Sequence, residues 1–280
     1  MTENKYNIAI IIPARYGSTR FPGKPLAIID DKTMLEHVVD VAINAIKIIN
    51  KDYQDQVNAE YYIATEDDRI IDFAAKQSIN CLKTSKDCPT GSDRALQAAE
   101  LLDVTPDAII NLQGDAPLTP AEMVANLALT LYNNQHDADV VTPILPLDWQ
   151  KLDDLRISKQ TNPFSGTSAI IDRDNNALWF SKNIIPAIRN EEKLRNSSHL
   201  SPIYKHIGLY GFTYDALKKF VNLPTGHYET LEGLEQLRFL ENKMTIKTLI
   251  YQHADYNHIG VDTKDDLLIA ENIVKNSKKY

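Results

Sequence analysis

Five consecutive residues near the amino terminus, Ile8-Ala9-Ile10-Ile11-Ile12, are apolar and mostly β-branched, and Pro13 closes the run. A segment this short and this apolar has no polar face to give to water. It predicts a strand covered on both sides, as in a parallel sheet. A polar loop, residues 14–25, follows it. Leu35, Val38, Val39, Ala42 and Ile46 then fall on one helical face, which predicts a helix over Met34–Ile49 with Thr33 as its cap. Further on, the pattern predicts strands at Glu60–Ala64, Ile79–Lys83 and Asp107–Leu112. It predicts helices at Asp67–Gln77, at Asp93–Leu102, and from a Thr119 cap to about Asn133. Strands alternating with helices about every 25 to 30 residues mark βαβ units around a parallel sheet. In such sheets ligands bind beyond the carboxyl ends of the strands. The two most unusual loops, residues 13–25 and 113–118, both follow strands.

From residue 138 the rhythm changes. Val140–Leu147, Ser168–Asp172, Ala177–Phe180 and Ile207–Phe212 are strand candidates with no long helix between them. Asn183–Ile203 is polar and predicts a long loop. Leu231–Leu240 predicts an amphipathic helix, Thr245–Tyr251 a strand, and Thr263 the cap of a last helix to about Asn276. The expected architecture is α/β, one domain with a mostly parallel sheet and a smaller antiparallel lobe. Residues 1–137 form the main part, 138–255 the lobe, and 256–280 a return to the first sheet.

The chain of 280 residues is 43% hydrophobic and 24% charged, the composition of an ordinary globular protein with a substantial core. Its 30 Lys and Arg against 38 Asp and Glu leave a formal charge of −8. That balance argues against nucleic acid and against an anionic membrane surface as partners. The two cysteines, Cys81 and Cys88, give neither a disulfide framework nor zinc spacing. The amino-terminal apolar run is too short for a signal peptide, and no stretch reaches the length of a membrane span. The expected compartment is the cytoplasm.

Within this acidic chain, one loop concentrates positive charge. The segment Pro13-Ala14-Arg15-Tyr16-Gly17-Ser18-Thr19-Arg20-Phe21-Pro22-Gly23-Lys24-Pro25 holds three cations and two glycines. Glycines let a backbone approach phosphate closely, and Arg15, Arg20 and Lys24 could clamp a polyphosphate. The bland alternative is a solvated basic turn, since neither a Walker loop nor a GxGxxG fingerprint is present. Asp115, in Asn111-Leu112-Gln113-Gly114-Asp115, stands just past a buried strand, where a carboxylate either holds Mg²⁺ against a phosphate or forms a turn. Asp262, in Gly260-Val261-Asp262-Thr263, either joins it or caps the last helix. His206, Gly208, Tyr210 and Phe212 would share one face of a strand. Leu231, Leu234 and Leu237 would form a core stripe, and nothing local marks Glu235 or Gln236 as functional. No HExxH or Gly-x-Ser-x-Gly motif is present.

The order PARYGSTRFPGKPL, TGSDR, NLQGD, KHIGLYGF, LEQLRFLEN and GVDT closely resembles the 3-deoxy-manno-octulosonate (Kdo) cytidylyltransferases, over about residues 7 to 275. The resemblance implies a nucleotidyltransferase fold with a Rossmann-like sheet, a homodimer, and transfer of CMP from CTP to Kdo for lipopolysaccharide biosynthesis. It implies that Arg15 and Lys24 hold the triphosphate, and that Ala14, Ser92 and Arg94 surround the cytidine. It places the catalytic Mg²⁺ on Asp115 and Asp262, and the sugar against Gln113, Lys182, His206, Tyr210, Glu235 and Gln236. The sequence departs from the family pattern in several places, and the lysine expected after the Asn162-Pro163 turn is absent before Thr167-Ser168-Ala169. Ala116 replaces a glutamate after Gln-Gly-Asp, and Lys182 in Trp179-Phe180-Ser181-Lys182 replaces an arginine, giving charge without a bidentate fork. A related ulosonic acid such as 8-amino-Kdo is the alternative substrate. A non-catalytic nucleotide-binding protein is the alternative of another class.

Overall fold

The computed structural model describes residues 5–17, 21–134, 137–252 and 260–277. In chain order the elements are β1 (Tyr6–Pro13), a 3₁₀ turn (Lys24–Leu26), β2 (Ile28–Ile29), β3 (Lys32–Thr33), α1 (Met34–Tyr53), β4 (Val57–Thr65) and α2 (Asp68–Lys76). There follow β5 (Cys81–Lys83), α3 (Gly91–Glu100), β6 (Ala108–Asn111), α4 (Ala121–Asn133), β7 (Val140–Asp148), α5 (Trp149–Thr161), β8 (Ser168–Ile171) and β9 (Ala177–Ser181). The chain continues through α6 (Glu191–Ser197), β10 (Leu200–His206), β11 (Tyr210–Thr213), α7 (Tyr214–Val221), α8 (His227–Glu232), α9 (Gln236–Glu241), β12 (Ile246–Ile250) and α10 (Lys264–Ser277).

Two compact units emerge. The first draws on the described residues within 1–133, 209–221 and 257–280, the second on those within 134–208 and 222–256. In the first unit β5, β4, β1 and β6 are parallel, and β11 adds antiparallel to β6 with Tyr210 opposite Asn111. Ile10, Ile11 and Ile12 are fully buried, which is why this strand can be apolar on both faces. Helix α1 begins in a capping box: Thr33 Oγ1 accepts from the Glu36 amide while Glu36 Oε2 accepts from the Thr33 amide. Phe21, Ile29, Met34, Val261, Ala270 and Val274 form a separate apolar cluster, so α10 is held to the unit's start by side chains far apart in sequence.

In the second unit β7, β10, β8 and β9 are antiparallel in that order, and β12 pairs parallel with β7. Leu147, Trp149, Leu152 and Ile203 are the core under α5.

The structure corrects four expectations. Helix α5 occupies a stretch expected to lack one, and α7 a stretch for which the sequence predicts no element. Residues 183–203 contain α6 and the first part of β10, not one loop. The strand expected at Ile207–Phe212 is split: β10 ends at His206 in the second unit and β11 begins at Tyr210 in the first, so His206 and Tyr210 do not share a strand face. The helix expected at Leu231–Leu240 breaks at Gly233, whose φ of 63° is left-handed and terminates α8.

Candidate active site

The first unit brings one lysine and two carboxylates to a point. Strand β1 is extended by the Ala14 amide, which donates to Ala64 O at 2.9 Å. Against its end passes the Gln113-Gly114-Asp115 turn. A Cβ on Gly114 would lie 2.6 Å from the Pro13 carbonyl oxygen, so only glycine permits this approach. The Asp115 carbonyl accepts from the Val261 amide at 2.9 Å, which ties the start of the last helical segment to the turn and brings Asp262 in. Asp266 accepts from the amides of Asp262 and Thr263, fixing that segment. Lys24 sits on the 3₁₀ turn that Gly23 opens at φ 76°. Its Nζ donates to Asp115 Oδ2 at 2.7 Å and to Asp262 Oδ1 at 3.2 Å.

Both carboxylates are hard oxygen donors aimed at one cation, which fits Mg²⁺. Among the described residues no group of three or more His, Cys, Asp or Glu gathers elsewhere or here, so such an ion would complete its shell with water and substrate phosphate.

Two further cations of the unit, Arg15 and Arg94, are tied to α3 and the loop that precedes it. The exposed Arg15 guanidinium donates to the Cys88 carbonyl. Thr90 caps α3 in a second capping box, with Asp93 returning the bond, and Ser92 is buried in the first turn. Arg94 is 1% exposed. It pairs with Glu66 at 2.5 Å and donates to Thr84 Oγ1, yet its Nε and Nη2 have no hydrogen-bond partner among the described residues. Burial pulls the Arg94 pKa below its ordinary value, and neighbouring Arg15 pulls the same way. Gln113 Nε2 donates to the buried Asn111 Oδ1 at 3.2 Å, and the Tyr210 ring stacks on Phe212. Arg20 lies outside the described residues.

In the second unit, Lys182 is half-buried, and burial lowers its pKa. Its Nζ donates to Thr167 Oγ1 at 3.2 Å, while Glu232 accepts from the Lys182 amide and from Ser181 Oγ. Below it Lys159 donates to the carbonyls of Pro163, Ser165, Gly166 and Lys182, locking the 163–166 turn to β9. His206 is buried, with Nε2 2.8 Å from Thr142 Oγ1 and its ring edge against Phe180. Glu235 is half-buried. Gln236 is 3% exposed, and its Nε2 has no partner among the described residues, so it is a polar group waiting for an acceptor.

A family model described as cytidylyltransferase matches residues 9–246. A 3-deoxy-manno-octulosonate cytidylyltransferase of Maricaulis maris is 36% identical over 96% of this chain and 97% of its own length. The chain belongs to the cytidylyltransferase family. An 8-amino-3,8-dideoxy-manno-octulosonate cytidylyltransferase of Shewanella pealeana is 34% identical over 95% of this chain and 97% of its own. A solved structure of CMP:2-keto-3-deoxy-manno-octonic acid synthetase complexed with CTP matches with a TM-score of 0.80 and 28% identity, covering 97% of this chain and 99% of the other. This cytidylyltransferase is therefore a nucleotidyltransferase enzyme with the fold of that synthetase.

The sequence gives no sign of a role for Glu66, Thr84, Thr142, Lys159 or Thr167, and the Leu231–Arg238 stripe makes Glu232 a solvated charge, whereas it accepts from Ser181 Oγ and the Lys182 amide. Each acts through a partner elsewhere in the chain. Nor do the cysteines add a nucleophile: burial pushes the Cys81 thiol up to about 11 and raises Cys88 as well. Among the described residues no helix is long and apolar enough to cross a membrane.

Proposed function

We propose that this cytidylyltransferase transfers CMP from CTP to the 2-hydroxyl of Kdo and releases pyrophosphate, as a Mg²⁺-dependent, cytoplasmic homodimer serving lipopolysaccharide biosynthesis. The observation that carries the reading is the convergence of Lys24, Asp115 and Asp262 beside the Gln113-Gly114 turn. Asp115 and Asp262 hold the ion, whose chemistry when bound is to polarise the α-phosphate and lower the pKa of the attacking hydroxyl. Arg15 and Lys24 neutralise the triphosphate and the charge that develops on the leaving pyrophosphate. Ala14, Ser92 and Arg94 surround the cytidine. Gln113, Lys182, His206, Tyr210, Glu235 and Gln236 orient the sugar acid, and the unpaired Gln236 amide supports this by offering a donor to a hydroxyl or carboxylate. The new bond joins the sugar oxygen to the α-phosphorus as the bond to the β-phosphate oxygen breaks. The residues act by positioning and charge, and no side chain is assigned as general base.

A homodimer is supported by apolar surface on the second unit, where Leu178, Tyr228 and Leu231 are exposed. Light scattering after size exclusion tests it, and a monomer at assay concentration would remove it. A second reading, activation of 8-amino-Kdo, is favoured by the relatives that carry that name at 34 to 36% identity and by Lys182 in place of an arginine. One experiment decides between them: pyrophosphate release with CTP and Mg²⁺, offering Kdo, 8-amino-Kdo and a sialic acid in parallel, with UTP and EDTA as controls. Metal-dependent turnover with Kdo is expected, and turnover with 8-amino-Kdo alone would shift the substrate. Asp115→Asn is expected to lower kcat at least about a hundredfold while the circular dichroism spectrum is unchanged. A variant retaining full Mg²⁺-dependent activity would remove Asp115 from the metal site.

A further inference from the structure

We infer that Lys24 and the divalent cation compete for one carboxylate pair, so the cation enters with the triphosphate and not ahead of it. The inference rests on the reading of Asp115 and Asp262 as the metal ligands. The Lys24 ammonium lies 2.7 Å from one of these carboxylates and 3.2 Å from the other. A magnesium ion bound by the same oxygens would stand about 2.0–2.1 Å from each. The two cations therefore claim overlapping space and the same lone pairs, and their like charges repel across it.

The lysine holds this place by construction. Its side chain is 11% exposed, whereas the carboxylates are 38% and 51% exposed, so a metal ion has access and meets a charge, not a wall. The turn beneath it is closed by three backbone hydrogen bonds, Lys24 N–H to Phe21 O, Leu26 N–H to Gly23 O and Ala27 N–H to Lys24 O. Pro25, buried beside it, stiffens the same turn. An ammonium tethered this closely competes at a high effective concentration. A free divalent ion gains only two carboxylate ligands by displacing it. An ion arriving with CTP brings phosphate ligands of its own, and the triphosphate gives the displaced ammonium a new anion to pair with. Metal and nucleotide then raise each other's affinity by the same factor.

The test uses Mn²⁺ as the probe, with free Mn²⁺ read by electron paramagnetic resonance during titration of the full chain. Without nucleotide, Lys24→Met is expected to bind one more ion per chain, at least tenfold tighter than the unsubstituted protein. Adding Asp115→Asn to that variant is expected to abolish the gain. With the Mn²⁺ held by CTP alone subtracted, CTP is expected to tighten Mn²⁺ binding at least tenfold in the unsubstituted protein and by a smaller factor in Lys24→Met, where no ammonium has to be displaced. Equal Mn²⁺ affinity of the two proteins without nucleotide, whether tight or undetectable, would overturn the competition. If Lys24→Met does not fold, Lys24→Gln takes its place, and the CTP dependence of the unsubstituted protein is measured in either case. Failure of the underlying reading has its own signature: Mn²⁺ binding with CTP that Asp115→Asn and Asp262→Asn both leave unchanged.

Discussion

Arg94 is a charged side chain with 1% of its surface exposed, so its partners must replace the water it has lost. Glu66 supplies the counter-charge and Thr84 an acceptor. Replacing Arg94 by Met strands that carboxylate. Breaking a fully buried pair costs about 3–5 kcal/mol, and Glu66, 25% exposed, regains some hydration, so about 2–3 kcal/mol is expected for Arg94→Met. Adding Glu66→Gln should recover at least about 1 kcal/mol of it, because the uncompensated charge is then gone. Urea denaturation of the three proteins checks both numbers, and an unshifted midpoint for Arg94→Met would show that the pair contributes nothing to stability. At this scale the candidate residues stood out in the sequence because an acidic chain gathers cations in one loop and sets Asp115 just past a buried strand. What local sequence could not carry was partnership. Glu66 is the first of three consecutive acidic residues leading into α2, and that it faces Arg94 depends on β4 and α3 lying over one another in the fold. Likewise Lys24 and Asp262, 238 residues apart, meet only because the Val261 amide pairs with Asp115.

Elements are held here by small polar networks as much as by apolar stripes. Helix α6 has no buried residue. It is fastened instead to α5: Glu191 receives both arms of Arg156, Arg195 bonds Glu191 and Asp153, and the Arg195 guanidinium lies over the Trp149 ring. Trp149 Nε1 donates to Ser198 O at 2.8 Å just past the helix. Two arginines hold the Glu191 carboxyl down at about 2. Since this folded-state value lies below the unfolded carboxylate value of about 4.3, the contribution is complete above roughly pH 5 and fades as pH falls toward 2. Surface networks of this kind are worth little globally. Glu191→Gln at pH 7 is therefore expected to leave the unfolding midpoint within about 0.5–1 kcal/mol. It should nevertheless shift the Trp149 indole N–H resonance, and the native protein should begin to shift in the same direction only as pH falls below about 3, toward the Glu191 value of about 2. An indole resonance that ignores both changes would dissociate the network from the position of α6. The same features explain why these elements were hidden from periodicity. Helix α6 has no apolar face, and α5 buries only Trp149 and Leu152. By contrast α1 buries seven residues at regular spacing and was legible at once. Gly233 inside a leucine stripe was the visible sign that α8 and α9 are two helices.

On the scale of the whole chain, the fold class followed from the alternation of buried strands and amphipathic helices, but the path between the units did not. Residues 209–221 leave the second unit's stretch of sequence to build β11 and α7 of the first, and α10 returns there as well. Nothing in a four-residue strand announces which edge it will join. In the fold that strand covers β6, whose residues Ala108–Asn111 are all buried, from Tyr210 opposite Asn111 to Thr213 opposite Ala108. Helix α7 packs on α3, and α10 closes the cluster of Phe21, Ile29 and Met34. A fragment ending at Asn133 thus keeps the most recognisable part of the sequence and loses what seals it. It would present the unpaired edge of an otherwise buried strand and an open apolar cluster, the features that drive strand pairing between chains. Expressed alone, fragment 1–133 is expected to aggregate, with no monomer in size exclusion and no cooperative thermal transition. A soluble, cooperatively unfolding monomer would show instead that β11, α7 and α10 are accessories. The same fragment lacks Asp262, so the return of the chain completes the core and the carboxylate pair in one step. A cytidylyltransferase built this way cannot bring Lys24, Asp115 and Asp262 together before the segment leading into α10 is in place.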